Sequence, residues 1–115
     1  MKVLLLVEHP PYGAEGPYNA LRLADALLER GEWVDLFFIG DGVHAARAGQ
    51  DPSSAAVSVE GQLRNAMERG AEVMLCGTCC RSRGLAPEHV VDGARIGTVR
   101  DLADLVVGAD RVVTF

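Results

Sequence analysis

The sequence predicts an α/β domain in three layers: a mostly parallel sheet of four to five strands, helices on both faces, and a flavodoxin-like winding. Three observations predict it. Short apolar runs alternate with amphipathic helical segments along the chain. Those runs are apolar enough to be buried on both sides, as a helix-covered parallel sheet requires. With 115 residues, of which 49% are hydrophobic, the chain can bury one sizeable core, so residues 1–115 are read as one domain.

The first strand is KVLLLV (Lys2–Val7), bounded by HPPYG. Pro17 suits the first turn of a helix, where its missing N–H costs nothing. Ala20, Leu21, Ala24, Leu27 and Leu28 then fall on one helical face, and Gly31 ends the helix. WVDLFFIG (Trp33–Gly40) is the second strand, so residues 2–39 form a βαβ unit with parallel strands. DGVHAARAGQDPSS (Asp41–Ser54) reads as a short helix and a polar loop. A second amphipathic helix, Val59–Gly70, turns Val59, Leu63, Ala66 and Met67 inward. EVMLC (Glu72–Cys76) is the third strand. Pro87 opens about one helical turn, and Val90–Ile96 contains a short strand. Thr98 and Asp101 match a capping box that opens a helix with Val99, Leu102, Leu105 and Val106 inside. RVVTF (Arg111–Phe115) is the last strand.

Charge and hydropathy exclude some functions. The net charge of −5 is spread along the chain and leaves no basic face to neutralise phosphates, so no nucleic-acid partner is expected. No apolar run approaches the roughly 20 residues of a membrane helix. The apolar start, Val3–Val7, falls short of the roughly 7–15 residues of a signal-peptide core. It reads as a strand, and the protein as cytoplasmic.

In such a sheet, sites form beyond the carboxyl ends of the strands. Three loops leave that edge: HPPYGAEG, GDGVHAARAGQ and CGTCCRSRG. The last holds all three cysteines, within five positions and followed by Arg81 and Arg83. An odd, local cluster is not a disulfide framework; in a reducing compartment it points to catalysis or metal binding. Cys76 and Cys79 form a C-x-x-C, and Cys80 follows. A thiolate is the nucleophile, and turn amides with Arg81 and Arg83 would favour it. The chemistry is then attack on a sulfur atom: disulfide exchange or persulfide transfer.

Two other readings stand beside it. Cysteine is a small hydrophobe that fills core space. Zinc would accept the C-x-x-C, with His89 as a further ligand, but the chain lacks a second pair. A thioredoxin-like role fits poorly, because Gly84 and Pro87 preclude the long helix that usually follows such a motif. His9, at the end of strand one, would serve as a base toward Cys76 if the two loops meet, as neighbouring strands one and three would allow. Tyr12 is a candidate to line a cleft over the cysteine loop. No cofactor-binding or metal-binding residues are assigned: GAEG (Gly13–Gly16) precedes a helix but matches neither dinucleotide nor phosphate-loop spacing.

PPYGAEGPYNALRLADAL (Pro10–Leu27), FFIGDGVHAARAGQ (Phe37–Gln50), CGTCCRSRGL (Cys76–Leu85) and DRVVTF (Asp110–Phe115) together resemble the DsrE/DsrF-like sulfur-relay family. The resemblance covers essentially the whole chain. It implies a three-layer α/β fold, homo-oligomers built as trimers or hexamers, and a cysteine that carries persulfide sulfur between donor and acceptor proteins. The carrier position corresponds to Cys76, with the basic Arg83–Gly84 downstream. Cys79 and Cys80 depart from the relay-subunit pattern. Cys79 fits a resolving thiol, which would release the carried sulfur by attacking a Cys76 persulfide.

Overall fold

A computed structural model describes residues 1–53 and 57–115. Five strands form one sheet: β1 (Lys2–Val7), β2 (Trp33–Phe38), β3 (Glu72–Cys76), β4 (Arg95–Gly97) and β5 (Arg111–Thr114). The order is β4-β3-β2-β1-β5 and every pairing is parallel. The α/β fold, the parallel sheet and the helices on both faces are as the sequence predicts. The strand order itself differs from a flavodoxin-like one, which reverses between its first and third strands. Here the chain steps outward from β1 through β2 and β3 to β4, then returns to lay β5 on the other side of β1.

Parallel strands need crossovers, and the helices supply them. α1 (Gly16–Glu29) and α2 (Val59–Glu68) pack together on one face. They bury Val34, Leu36, Phe38, Leu5, Val73 and Leu75 under Ala20, Leu21, Leu63 and Ala66. α4 (Val99–Gly108) carries the chain back over the opposite face, where Leu102, Leu105 and Ala109 meet Leu4, Phe37 and Cys76. The alternation of β2 is visible here: Phe37 points into one layer and Phe38 into the other, both fully buried.

Local signals explain the boundaries. Pro17 sits in the first turn of α1, and Gly31 follows its end at φ +78°. Ser58 caps α2 by accepting the Gly61 amide. Thr98 and Asp101 form the expected capping box on α4. Asp41–Ala46 belongs to a 3-10 helix, Gly40–Ala46; Ser54, the last residue of the loop expected after it, lies outside the described residues. Pro87–His89 is a single 3-10 turn, and the short strand expected within Val90–Ile96 is Arg95–Gly97.

α4 departs from expectation. The sequence predicts Val99 and Val106 inside, but they are 62% and 43% exposed. The inward stripe is Leu102, Leu105 and Ala109, so the two valines lie off it. Val107 is 87% exposed as well, and α4 is apolar around much of its circumference. Among the described residues no helix is long and apolar enough to cross a membrane.

Candidate functional site

The three predicted loops leave the same edge of the sheet, and the structure joins them. Cys76 ends β3 in extended backbone and caps the short helix α3 (Gly77–Ser82), its sulfur accepting the Cys79 amide at 3.4 Å. Cys79 and Cys80 therefore lie on a helical turn rather than in an open loop. The turn ends quickly: Gly84 takes φ +67°, and the Leu85 amide bonds back to the Cys80 carbonyl at 2.9 Å. Gly77 sits in a crowded place: an added Cβ would stand 3.0 Å from the Gly97 carbonyl oxygen and 3.1 Å from Ile96.

The three thiols are free and occupy different surroundings. Cys76 is 3% exposed and belongs to the α4 layer; Cys80 is 1% exposed and belongs to the α1–α2 layer. Cys79 lies between, touching both layers, and is the most accessible of the three. Its sulfur accepts the Gly40 amide at 3.2 Å, which ties the end of β3 to the start of the 3-10 helix.

Burial pushes the Cys79 thiol up, and the neighbouring Cys76 pushes the same way; the Gly40 amide and Arg83 pull it down. Cys80 is raised chiefly by burial, then by Cys76 and Cys79, against the pull of Arg83 and Arg81. The arginines thus act in the direction the sequence predicts, but for these two thiols burial outweighs them.

Arg83 is the organising cation. Its Nε donates to Asp41 at 2.9 Å, and its Nη1 donates to the Cys79 carbonyl at 3.1 Å and the Ser82 hydroxyl at 3.0 Å. Arg81 donates to the Thr78 hydroxyl at 3.3 Å. With Cys80, Leu85, Pro87 and Ile96, it lines an apolar groove of about 420 Å³ beside α3.

Tyr12 is held at φ +66°. Its hydroxyl donates to Gln50 at 2.7 Å and accepts the Val59 amide at 3.1 Å. It straps the first loop to the second and to α2. Strands β1 and β3, which lead into His9 and Cys76, are not neighbours: β2 separates them, about 10 Å apart. The histidine packs instead against the start of α1, where an added Cβ on Gly16 would come within 3.3 Å of it. Among the described residues no group of three or more His, Cys, Asp or Glu side chains is arranged to hold a metal ion. His89 Nδ1 accepts the Ala86 amide.

The sequence missed Gly40 and Asp41 as members of this site, and Gln50 as the anchor of Tyr12. The GDG at the end of strand two was the visible signal, but its partners lie 39 and 42 positions away.

The model of the DsrE/DsrF-like family matches residues 1–115. The chain is 42% identical to the uncharacterized protein MJ0989 of Methanocaldococcus jannaschii, over the whole of both chains. It is 36% identical to the protein YchN of Escherichia coli, covering 99% of this chain and 98% of that one. The YchN crystal structure superposes with a TM-score of 0.94 at 35% identity, covering 100% of this chain and 99% of that one. The sulfurtransferase TusD of Enterobacter is 28% identical, over the full length of both.

Proposed function

The chain belongs to the DsrE/DsrF-like family, and on that premise we propose that it acts in a sulfur relay, as a sulfurtransferase component that carries persulfide sulfur on Cys76. The observation that carries this reading is the contact between Cys76 and Cys79. The Cys76 sulfur accepts the Cys79 amide at 3.4 Å. That arrangement sets a second thiol one helical turn from Cys76, as exchange between the two needs.

In the loading step, the Cys76 thiolate attacks the outer sulfur of a donor protein's persulfide. The donor's S–S bond breaks, the donor leaves as a thiolate, and Cys76 holds the persulfide. An acceptor thiolate can take the outer sulfur by the same exchange in reverse. Alternatively the Cys79 sulfur attacks Cys76 Sγ. A Cys76–Cys79 disulfide then forms, the outer sulfur leaves with the bonding pair, and the Cys79 proton completes hydrogen sulfide. An external dithiol resets the pair. Cys80 and Arg81 flank the carrier, Arg83 braces the turn, and Tyr12 braces the neighbouring loops.

The working unit is a homo-oligomer, a trimer or hexamer, of a cytoplasmic single-domain chain. Val99, Val107 and Trp33, at 62%, 87% and 57% exposure, are large apolar side chains that an assembly would cover. The test is intact mass of the reduced protein after incubation with a persulfide donor, with Cys76→Ser alongside. A gain of one sulfur on the wild type alone is expected; uptake by Cys76→Ser overturns the assignment.

The burial of Cys76 and Cys80 favours a second reading, in which the thiols only pack a core and the protein binds partners without chemistry. In that case the native thiols resist alkylation and no adduct forms on either protein.

A further inference from the structure

We propose that Asp41 is a positioning residue: acting through Arg83, it holds the Gly40 amide against the Cys79 sulfur and so aims that sulfur at Cys76. The inference rests on the sulfur-relay reading for its purpose but not for its test. Three sets of contacts carry it.

The first is the donor itself. Gly40 N stands 3.2 Å from Cys79 Sγ across two neighbouring strand ends. Gly40 takes φ +58°, a conformation that turns the chain from β2 into the 3-10 helix and that side chains resist.

The second is the anchor. Gly42 is wedged against β1: an added Cβ would fall 2.1 Å from the Val7 carbonyl oxygen. The root of the 3-10 helix is thus fixed from one side by close packing, while Asp41 projects from it with 62% of its side chain exposed.

The third is the brace. Arg83 holds Asp41 with Nε and the Cys79 carbonyl with Nη1. One planar cation therefore spans the segment that carries the donor and the segment that carries the sulfur. An ion pair this exposed adds little to global stability. Its effect falls on the relative placement of Gly40 and Cys79.

Among the described residues, the charged or titratable groups set around Cys79 include Cys76 at the end of β3, Cys80, Arg81 and Arg83 on or just past α3, and Asp41 on the 3-10 helix. Their signs make the test decisive. If Asp41 were only a nearby negative charge, removing it would ease ionisation of Cys79. If it positions the amide donor and the arginine, removing it makes ionisation harder.

The experiment is iodoacetamide labelling of the full-length native protein from neutral to alkaline pH, read cysteine by cysteine by peptide mass spectrometry. Wild type, Asp41→Asn and Asp41→Glu are compared, with thermal unfolding alongside to show all three folded. Asp41→Asn is expected to move the Cys79 profile to higher pH and to slow its labelling near neutrality about threefold or more. Asp41→Glu is expected to keep the wild-type profile. A profile that moves to lower pH, or does not move, overturns the proposal. No sulfur donor is present in this assay. A protein that shows the shift but takes up no sulfur therefore keeps the brace and loses the relay.

Discussion

The backbone amide of Gly40 donates to the sulfur of Cys79 at 3.2 Å, although 39 positions separate them. The contact fastens the ends of two adjacent strands and leaves Cys79 partly open to solvent while Cys76 is covered. In the proposed relay, that difference in accessibility gives the two thiols unequal roles.

The first prediction separates those roles. Cys79→Ser should still take up sulfur on Cys76 but should release it as sulfide far more slowly, because the remaining thiol, Cys80, is buried in the opposite core layer. Sulfide release from the pre-loaded protein, read with intact mass, checks this. Release at the wild-type rate, with a Cys76–Cys80 disulfide in its place, would move the resolving role to Cys80.

Gly42 offers a test of packing rather than chemistry. Gly42→Ala drives a methyl into the Val7 carbonyl, which is backbone and cannot swing away. A loss of about 3 kcal/mol or more is expected in chemical denaturation. Gly31→Ala meets open space, and its penalty comes from φ +78° alone, about 1–2 kcal/mol. Equal losses at the two sites would contradict the wedge.

The outer face of α4 should report assembly. Val107→Asp replaces a side chain that is 87% exposed in the isolated chain, so the fold itself loses little. Sedimentation velocity is expected to show a smaller species than wild type with unchanged circular dichroism. An unchanged sedimentation coefficient would place the interface elsewhere.

Glu60 should give the Tyr12–Gln50 strap a pH dependence. Burial pushes its carboxyl up, but hydrogen bonds from Arg64 and the Gln50 amide, with the Arg64 charge and the Gly49 amide, outweigh this and hold it below 4.5. Its folded pKa is depressed, so its contribution is present above the ordinary carboxylate value and is lost as pH falls through the lower folded value. Wild type is therefore expected to be more stable than Glu60→Gln near neutrality. The difference should close in acid. Urea denaturation at several pH values checks this, and a gap that widens in acid would refute it.

Much of this was legible in the sequence because the signals were local. The apolar runs Lys2–Val7 and Glu72–Cys76 are the strands themselves, and Thr98 with Asp101 caps α4 as its spacing demands. The strand order was not legible, since periodicity reports which segments are strands and not which ones pair. The face of α4 was misjudged for a related reason. With Val99, Leu102, Leu105, Val106 and Val107 around one helix, several stripes are apolar, and only the sheet selects Leu102 and Leu105. At the site, the cysteines announced themselves by their spacing. Their partners Gly40 and Asp41 come from another segment, where a GDG marks the strand end but does not name its partner.

The placement of Cys76 and Cys80 in opposite core layers makes the spacing of the cysteines a matter of rotational phase. Each residue of α3 advances about 100° around the helix axis. Deleting the exposed Thr78 would turn the following thiols by that angle. Cys79 would swing away from the Gly40 amide, and Cys80 would leave its layer. The chain can vary what stands at position 78, but not how many residues stand there.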